Sequence, residues 1–160
     1  ISSAEQITEK ALVETSVKLL PENSILMAIY AAPTVGRLGV LTQPATFNQA
    51  CTGLVAKKHV GTWFLFWTLF FARGWFNSRA NGAAQQNISK KIVENFELVL
   101  PSSQALSAFG EVSSRLHEKI RANTETISTL SSLRDTLLPR LISGQLRLPE
   151  AQEITEAVLS

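Results

Sequence analysis

The last third of this chain carries a long amphipathic segment, which constrains the fold more than any other feature. After Pro101, apolar side chains recur at alternating spacings of three and four residues, the pattern of a helix that packs along one seam. A helix over residues 103–138 would be roughly 50 Å long, so a small domain cannot bury it along its whole length. We expect it to project and to bury its seam against a partner. This favours a spacer or docking device over a self-contained enzyme.

The seam of this helix is mostly apolar, as expected for coiled-coil pairing. Asn123 and Arg134 interrupt it, and polar residues in such a seam fix the register of paired helices at a cost in stability. The residues expected to pair with a second helix or to dock a partner are Phe109, Leu116, Ile120, Asn123, Ile127, Leu130, Leu137 and Leu141.

Capping and breaking residues mark the ends of the long helix. Ser102 or Ser103 is the expected N-cap, because a serine oxygen accepts a backbone N–H that has no partner inside the helix. The helix should kink or end near Pro139, since proline removes one backbone hydrogen bond, and Gly144 should stop it. We therefore assign residues 102–146 to the helix and residues 147–160 to a C-terminal tail.

Residues 1–101 predict a small domain of mixed α/β character. Short apolar runs predict strands at 25–30, 37–41, 53–56 and 96–100. Short helices are expected after Thr8, as an N-cap, and near residues 90–95. The predicted fold class is therefore α+β: a short twisted sheet with helices, followed by the long projecting coiled-coil-type helix.

An aromatic run at residues 60–72 has two interpretations. A membrane-spanning helix needs roughly 20 apolar residues, and this run is much shorter. We favour a buried core helix over an interfacial or membrane helix, so no membrane partner is expected. Gly74 should close this helix in the left-handed conformation.

The composition offers little material for catalysis. Cys51 is the single cysteine, and the two histidines, His59 and His117, stand far apart without metal-ligand spacing. No phosphate loop, nucleophile triad or methyltransferase motif is visible. One cysteine excludes an intrachain disulfide and indicates a reducing, intracellular compartment. A net charge of +2 permits nucleic-acid binding without demanding it.

The segment 73–91 is richer in binding chemistry. It combines arginines, lysines, asparagines and glutamines around Trp75. Arginine forms paired hydrogen bonds with guanine, asparagine and glutamine do so with adenine, and lysine holds phosphates. A solvated polar loop explains the same composition, and residues 85–87 are also suited to brace the loop from inside.

Four blocks of this sequence, in order, resemble one protein family. The run from Leu133 to Leu146, LRDTLLPRLISGQL, resembles the end of the conserved helical region in specificity (S) subunits of type I restriction-modification enzymes. Residues 19–26, the ATFNQA segment at 45–50, and GAAQQNIS at 82–89 followed by FELVLP at 96–101 resemble further family blocks. The resemblance covers residues 7–146.

The resemblance implies a division of labour. Residues 1–101 would form a target recognition domain that reads one half of a split double-stranded DNA site, and the helix would act as a spacer that seats methyltransferase (M) subunits. The restriction (R) subunit would join indirectly. S-adenosylmethionine, ATP and Mg²⁺ would belong to those subunits, so no cofactor and no catalysis are expected in this chain, whose place is the cytoplasm of a bacterium or archaeon.

Two departures from the family pattern bear on these expectations. A recognition domain usually has more chain before residues 19–26, and an S subunit usually has two recognition domains and two helical regions. We therefore expect a C-terminal fragment or a half-sized S protein, paired through its helix with a second half or a second copy. Ala83 stands where the family commonly has serine, which removes a hydroxyl donor to phosphate.

Two functions follow, a DNA-recognition module with a helical spacer and an assembly module that contacts no DNA. The resemblance favours the first. Its loops at 30–37, 47–49 and 73–91 would face the major groove. The residues expected to contact DNA are Tyr30, Thr34, Arg37, Asn48, Gln49, Arg73, Arg79, Asn81, Gln85, Gln86, Asn87, Lys90 and Lys91.

Overall fold

A three-stranded antiparallel sheet organises the first part of the molecule. The computed structural model describes residues 6–30, 33–82 and 87–159. The strands are β1 (Ile25–Ala28), β2 (Leu38–Val40) and β3 (Cys51–Leu54), in the order β2-β1-β3. This sheet and the long helix described below confirm the α+β class.

The central strand β1 carries the most buried residues of the sheet. Ile25 and Met27 are both fully buried, and they lie opposite Leu54 and Thr52 of β3. The strands predicted at 25–30 and 37–41 are confirmed, each shorter than predicted. The third strand, predicted at 53–56, lies two residues earlier, at Cys51–Leu54. The Cys51 N–H donates to the Asn48 carbonyl in the turn that leads directly into this strand.

The strand predicted at 96–100 is wrong. These residues have no strand partner in the part of the chain that the structure describes. Phe96 instead packs its ring against Trp75 and Phe76, with centroids 5.0 Å away in both cases. Val99 is 89% exposed, so the apolar run that predicted a strand does not reflect a buried segment.

Four helices accompany the sheet: α1 (Glu9–Glu14), α2 (Thr62–Phe71), α3 (Arg73–Asn77) and α4 (Lys90–Glu94). Thr8 caps α1 by accepting a hydrogen bond from the backbone N–H of Ala11, as predicted. The prediction that Gly74 caps the aromatic helix is wrong, because α3 follows α2 after a single junction residue, Ala72, and contains Gly74.

The aromatic helix α2 is buried on one side only. Leu69 is 2% exposed and belongs to the core, whereas Phe71 is 80% exposed. The buried-core interpretation therefore holds for one face of the helix. No described helix is long and apolar enough to cross a membrane. The core that α2 covers consists of Met27, Ile29, Val35, Leu69, Phe76, Ile88 and Val93.

The long helix α5 spans Ser103–Ile142, forty residues. Ser102 is its N-cap, accepting from the backbone N–H of Ala105 at 3.3 Å, as predicted. Pro139 does not end the helix, because the turn that follows keeps its hydrogen bonds, including Ser143 N–H to the carbonyl of Pro139 at 3.0 Å. The chain turns at Gly144, whose φ is +73°.

The C-terminal residues form a further helix, α6 (Leu148–Leu159), which the sequence interpretation as a tail did not foresee. It packs on the end of α5 around three buried residues, Leu137, Leu146 and Ala151. The chain divides into two compact units, residues 1–114 and 115–160, and this small cluster is the core of the second.

Candidate nucleic-acid interface

The C-terminal end of β1 gathers segments that are distant in the sequence. The Ala28 carbonyl accepts from Gly36 N–H, and the Ile29 N–H donates to the Ala50 carbonyl, each at 2.9 Å. The Ile29 carbonyl accepts from Ile88 N–H, also at 2.9 Å. We name the result the β1-end cluster: residues 28–30, 33–37, 48–50, 73–79 and 87–91. These backbone bonds bring together the three loops that the sequence predicted to face DNA.

Arg73 holds the turn between β1 and β2. Its Nη2 donates to the Pro33 carbonyl at 2.6 Å, and its Nε donates to the Val35 carbonyl at 3.2 Å. Gly36 in this turn has a φ of +77°, and a Cβ there would lie 2.8 Å from the Arg73 Cγ. The turn therefore needs glycine at 36, and the predicted DNA contact Arg73 serves it as a brace.

The turn presents polar groups beside an aromatic ring. Tyr30 is 43% exposed, and the Thr34 hydroxyl donates to its backbone carbonyl at 2.7 Å. Arg37 is exposed, its backbone carbonyl accepts from Ala28 N–H at 2.9 Å, and its guanidinium pairs with no carboxylate among the described residues. Arg37 is thus a cation left available to an anionic partner.

Asn48 and Gln49 lie on the connection that enters β3. The Asn48 Oδ1 accepts from Ala50 N–H at 3.1 Å, an Asx turn that fixes the chain before β3. Both Asn48 and Gln49 are exposed. The acceptor of Asn48 is therefore engaged in the turn, while Gln49 presents its amide to solvent.

Residues 87–91, which lead into α4 and form its first turn, are a further part of the cluster. Asn81 and Asn87 form an isolated bridge, each N–H donating to the other's carbonyl at 2.9 Å, and Ser89 caps α4. Lys90 forms an ion pair with Glu94 at 3.3 Å, and Lys91 is exposed. The predicted contacts Gln85 and Gln86, like Ala83, lie outside the described residues.

Arg79 lies on an aromatic ring. Its guanidinium carbon is 3.8 Å from the centroid of Trp75, and its Nη1 donates to the Trp75 carbonyl at 3.2 Å. The sequence interpretation named Arg79 but gave no role to Trp75. The four-residue spacing of the two side chains is the signal that would have found the pair, since such residues are neighbours on a helical turn.

A second basic group lies at the opposite end of the sheet. Ala28 pairs with Cys51 and Ile25 pairs with Leu54, so the chain leaves β3 at the N-terminal end of β1. There, Lys57, Lys58 and His59 are all exposed. This basic triplet is separated from the β1-end cluster by the length of the strand.

The described residues contain no group of histidine, cysteine and carboxylate side chains arranged to hold a metal ion. Burial raises the pKa of the Cys51 thiol above its ordinary value, so this group is less ionised than an exposed cysteine. A thiol in that state is a poor nucleophile and a poor metal ligand.

The seam of α5 is largely open to solvent. Five of the predicted pairing residues are exposed apolar side chains: Phe109, Leu116, Ile120, Ile127 and Leu130. Asn123 is exposed between them. The ring of Phe109 also contacts the ring of Phe64, with a centroid separation of 6.2 Å. Val112, which the seam prediction omitted, is 62% exposed, and its spacing of three from Phe109 and four from Leu116 would have identified it.

The last two seam positions have a partner within the chain. Leu137 is 8% exposed in the cluster with Leu146 and Ala151, and Leu141 packs against the same cluster. Contacts around α6 therefore cover the C-terminal end of the seam, while residues 109–130 leave it exposed.

Comparison with known proteins decides the family. The family model described as the type I restriction modification DNA specificity domain matches residues 1–131. The chain belongs to this family. The resemblance read from the four sequence blocks is thereby confirmed.

Two curated members of this family are similar to the chain. A type I restriction enzyme HindI specificity subunit from Haemophilus influenzae is 25% identical over 82% of the chain and 29% of its own length. A type I restriction enzyme MjaIX specificity subunit from Methanocaldococcus jannaschii is 27% identical over 94% of the chain and 35% of its own length. The chain thus spans about a third of the length of these relatives.

A solved structure shares the fold. The crystal structure of a type I restriction-modification system S subunit from M. genitalium superposes with a TM-score of 0.62 at 18% identity. The match covers 79% of this chain and 34% of the other. At this identity the likeness concerns the architecture of sheet and long helix.

Proposed function

We propose that this chain reads one half of a bipartite double-stranded DNA target through the β1-end cluster, as part of a type I specificity subunit. The observation that carries the proposal is the convergence of three loops on Ala28 and Ile29, in a member of this family. The convergence gives Arg37 and Lys91, both exposed, a common rigid support. Recognition needs such support, because base-edge hydrogen bonds demand fixed geometry.

The long helix supplies the second half of the proposal. Exposed apolar side chains from Phe109 to Leu130 pair with a helix from a second S half or a second copy and dock methyltransferase subunits. The restriction subunit joins through that assembly. The chain itself is non-catalytic and works in the cytoplasm of a bacterium or archaeon, with S-adenosylmethionine, ATP and Mg²⁺ held by its partners.

The alternative is an assembly module that uses α5 and reads no DNA. The partners of three predicted DNA contacts favour this alternative. Arg73, Asn48 and Lys90 already bind groups inside the protein. A net charge of +2 also gives only a weak overall attraction to DNA. The exposed cations Arg37, Arg79 and Lys91 favour DNA reading instead.

A binding measurement on the assembled complex separates the two functions. The full protein with its methyltransferase subunits is titrated with duplexes that it selects from a random library, and with the unselected library, over a range of salt concentrations. DNA reading predicts a linear fall of log K with log salt and a preference of about 10³-fold or more for selected duplexes. The methyltransferase subunits alone are the control. If selected and unselected duplexes bind with equal affinity, whether or not this chain is present, the result would support the assembly module.

A further inference from the structure

Arg79 is the most firmly positioned of the exposed cations in the β1-end cluster. Its guanidinium carbon lies 3.8 Å from the centroid of the Trp75 ring. Its Nη1 also donates to the Trp75 carbonyl at 3.2 Å and to the Ser78 hydroxyl at 3.3 Å. One face and one end of the group are therefore held, although the side chain is exposed.

The ring beneath Arg79 is itself anchored in the core. The Trp75 centroid lies 5.0 Å from those of Phe76 and Phe96, in edge-to-face geometry. Phe76 is fully buried, and Trp75 is half-buried. The ring is thus a fixed platform between the core and Arg79, and a cation over an aromatic face is electrostatically favoured.

The remaining donors of Arg79 are available. A guanidinium has five N–H donors, and the two contacts above use the Nη1 end. The Nε and Nη2 donors have no hydrogen-bond partner within residues 6–30, 33–82 and 87–159. These atoms form one edge of the guanidinium fork, which suits two acceptors side by side, such as O6 and N7 of guanine.

The geometry points to Trp75 as a positioning residue that holds the Nε–Nη2 edge of Arg79 ready to read a guanine in the major groove. This inference rests on the proposed DNA reading and goes further by naming one base contact and the residue that prepares it. A free arginine loses side-chain freedom when it binds, whereas a stacked one has already lost much of it. We expect the stack to improve affinity for a guanine-bearing site by about 3- to 10-fold.

The test is a double-mutant cycle on the full protein in complex with its methyltransferase subunits. The probes are duplexes selected by the wild-type complex and the unselected random library. We expect Arg79→Ala to weaken binding to selected duplexes by about 10- to 100-fold. Trp75→Leu should weaken it by about 3- to 10-fold, with no loss on the random library and no change in salt slope, because the charge of Arg79 remains.

The decisive comparison is Trp75→Leu in the Arg79→Ala background. A residue that acts only through Arg79 has no further effect on specific binding once Arg79 is gone. Trp75→Phe, which keeps an aromatic face, should restore part of the loss and covers the case in which the leucine variant folds poorly. Trp67→Leu is the matched control, because its ring contacts Phe66, Phe70 and Phe71 and should leave specificity unchanged.

Three results would overturn the inference while leaving DNA reading intact. The first is an equal Trp75→Leu loss on both probes in both Arg79 backgrounds, which makes Trp75 a packing residue only. The second is a uniform Arg79→Ala loss with the salt slope reduced by about 1, which makes Arg79 a phosphate contact. The third is a Trp75→Phe variant no better than Trp75→Leu. Failure of the wild-type complex to prefer selected duplexes would instead reject the proposed function.

Discussion

The Nη2 atom of Arg73 donates to the carbonyl of Pro33 at 2.6 Å, across a separation of forty residues in the sequence. The same side chain reaches Val35, so the first residue of α3 fixes the turn that carries Thr34 and Arg37. Arg73, which was predicted from composition to contact DNA, therefore stabilises the fold of this turn. Its loss should disturb the whole β1-end cluster.

We predict that Arg73→Ala lowers the free energy of unfolding by about 1–3 kcal/mol, because two carbonyls lose a charged donor. Urea denaturation of the purified chain measures this. Arg37→Ala on the same turn is the matched control and should change stability by less than about 0.5 kcal/mol, since Arg37 is exposed and unpaired among the described residues. If both variants lose the same free energy of unfolding, the Arg73 hydrogen bonds do not stabilise the fold.

The exposed seam of α5 makes a second prediction. Leu130→Asp should abolish assembly with a second helix or with methyltransferase subunits, because a carboxylate cannot be buried in an apolar seam without a partner. The isolated chain should keep its fold, since Leu130 is 43% exposed. Light scattering measures the mass of the assembly, and circular dichroism measures the helix content.

Ala122→Asp is the matched control for this substitution. Ala122 is exposed on the same helix and lies about 120° around it from Leu116, away from the seam. It should assemble normally while introducing the same charge. Normal assembly of Leu130→Asp would contradict the seam assignment, and failure of both variants would point to the charge of the helix rather than to its seam.

Cys51 gives a prediction on pH. Burial raises the pKa of its thiol in the folded state, so the unfolded chain ionises first as pH increases. The stability that the neutral thiol contributes is fully present below the unfolded pKa and is lost as pH rises through the folded pKa. Alkylation by iodoacetamide should therefore have its midpoint at a higher pH in folded protein than in urea. A midpoint at the same or a lower pH would contradict the burial of this thiol.

Local signals in the sequence predicted much of the fold. Thr8, and either Ser102 or Ser103, were predicted as N-caps because their side-chain oxygens can satisfy a free backbone N–H, and Thr8 and Ser102 do so. The apolar runs at β1 and β2 and the helical period of α5 also predicted their elements correctly. In each case the signal lies within the residues of the element itself. The four family blocks then indicated the protein family, which the match over residues 1–131 confirmed.

Features that depend on distant partners were not predictable in this way. Residues 96–100 form a short, mostly apolar run like that of a strand, but Phe96 packs with Trp75 and Phe76 instead of joining the sheet. Gly74 looked like a cap because a helix commonly ends at glycine, yet the chain continues as α3. The burial of Leu137 depends on α6, whose contact with α5 has no local signal. Arg73 shows the same limit, since its partners Pro33 and Val35 lie forty and thirty-eight residues away.

The most direct test of DNA reading compares the two ends of the sheet. Hydrogen exchange is measured on the assembled complex, with and without a duplex that the wild-type complex selects from a random library. DNA at the β1-end cluster predicts slower exchange in peptides covering residues 28–37, 48–50 and 87–91. It predicts no change at Lys57, Lys58 and His59, an exposed basic triplet at the opposite end of β1. Protection of that triplet, with unchanged exchange in the β1-end cluster, would contradict the proposed interface.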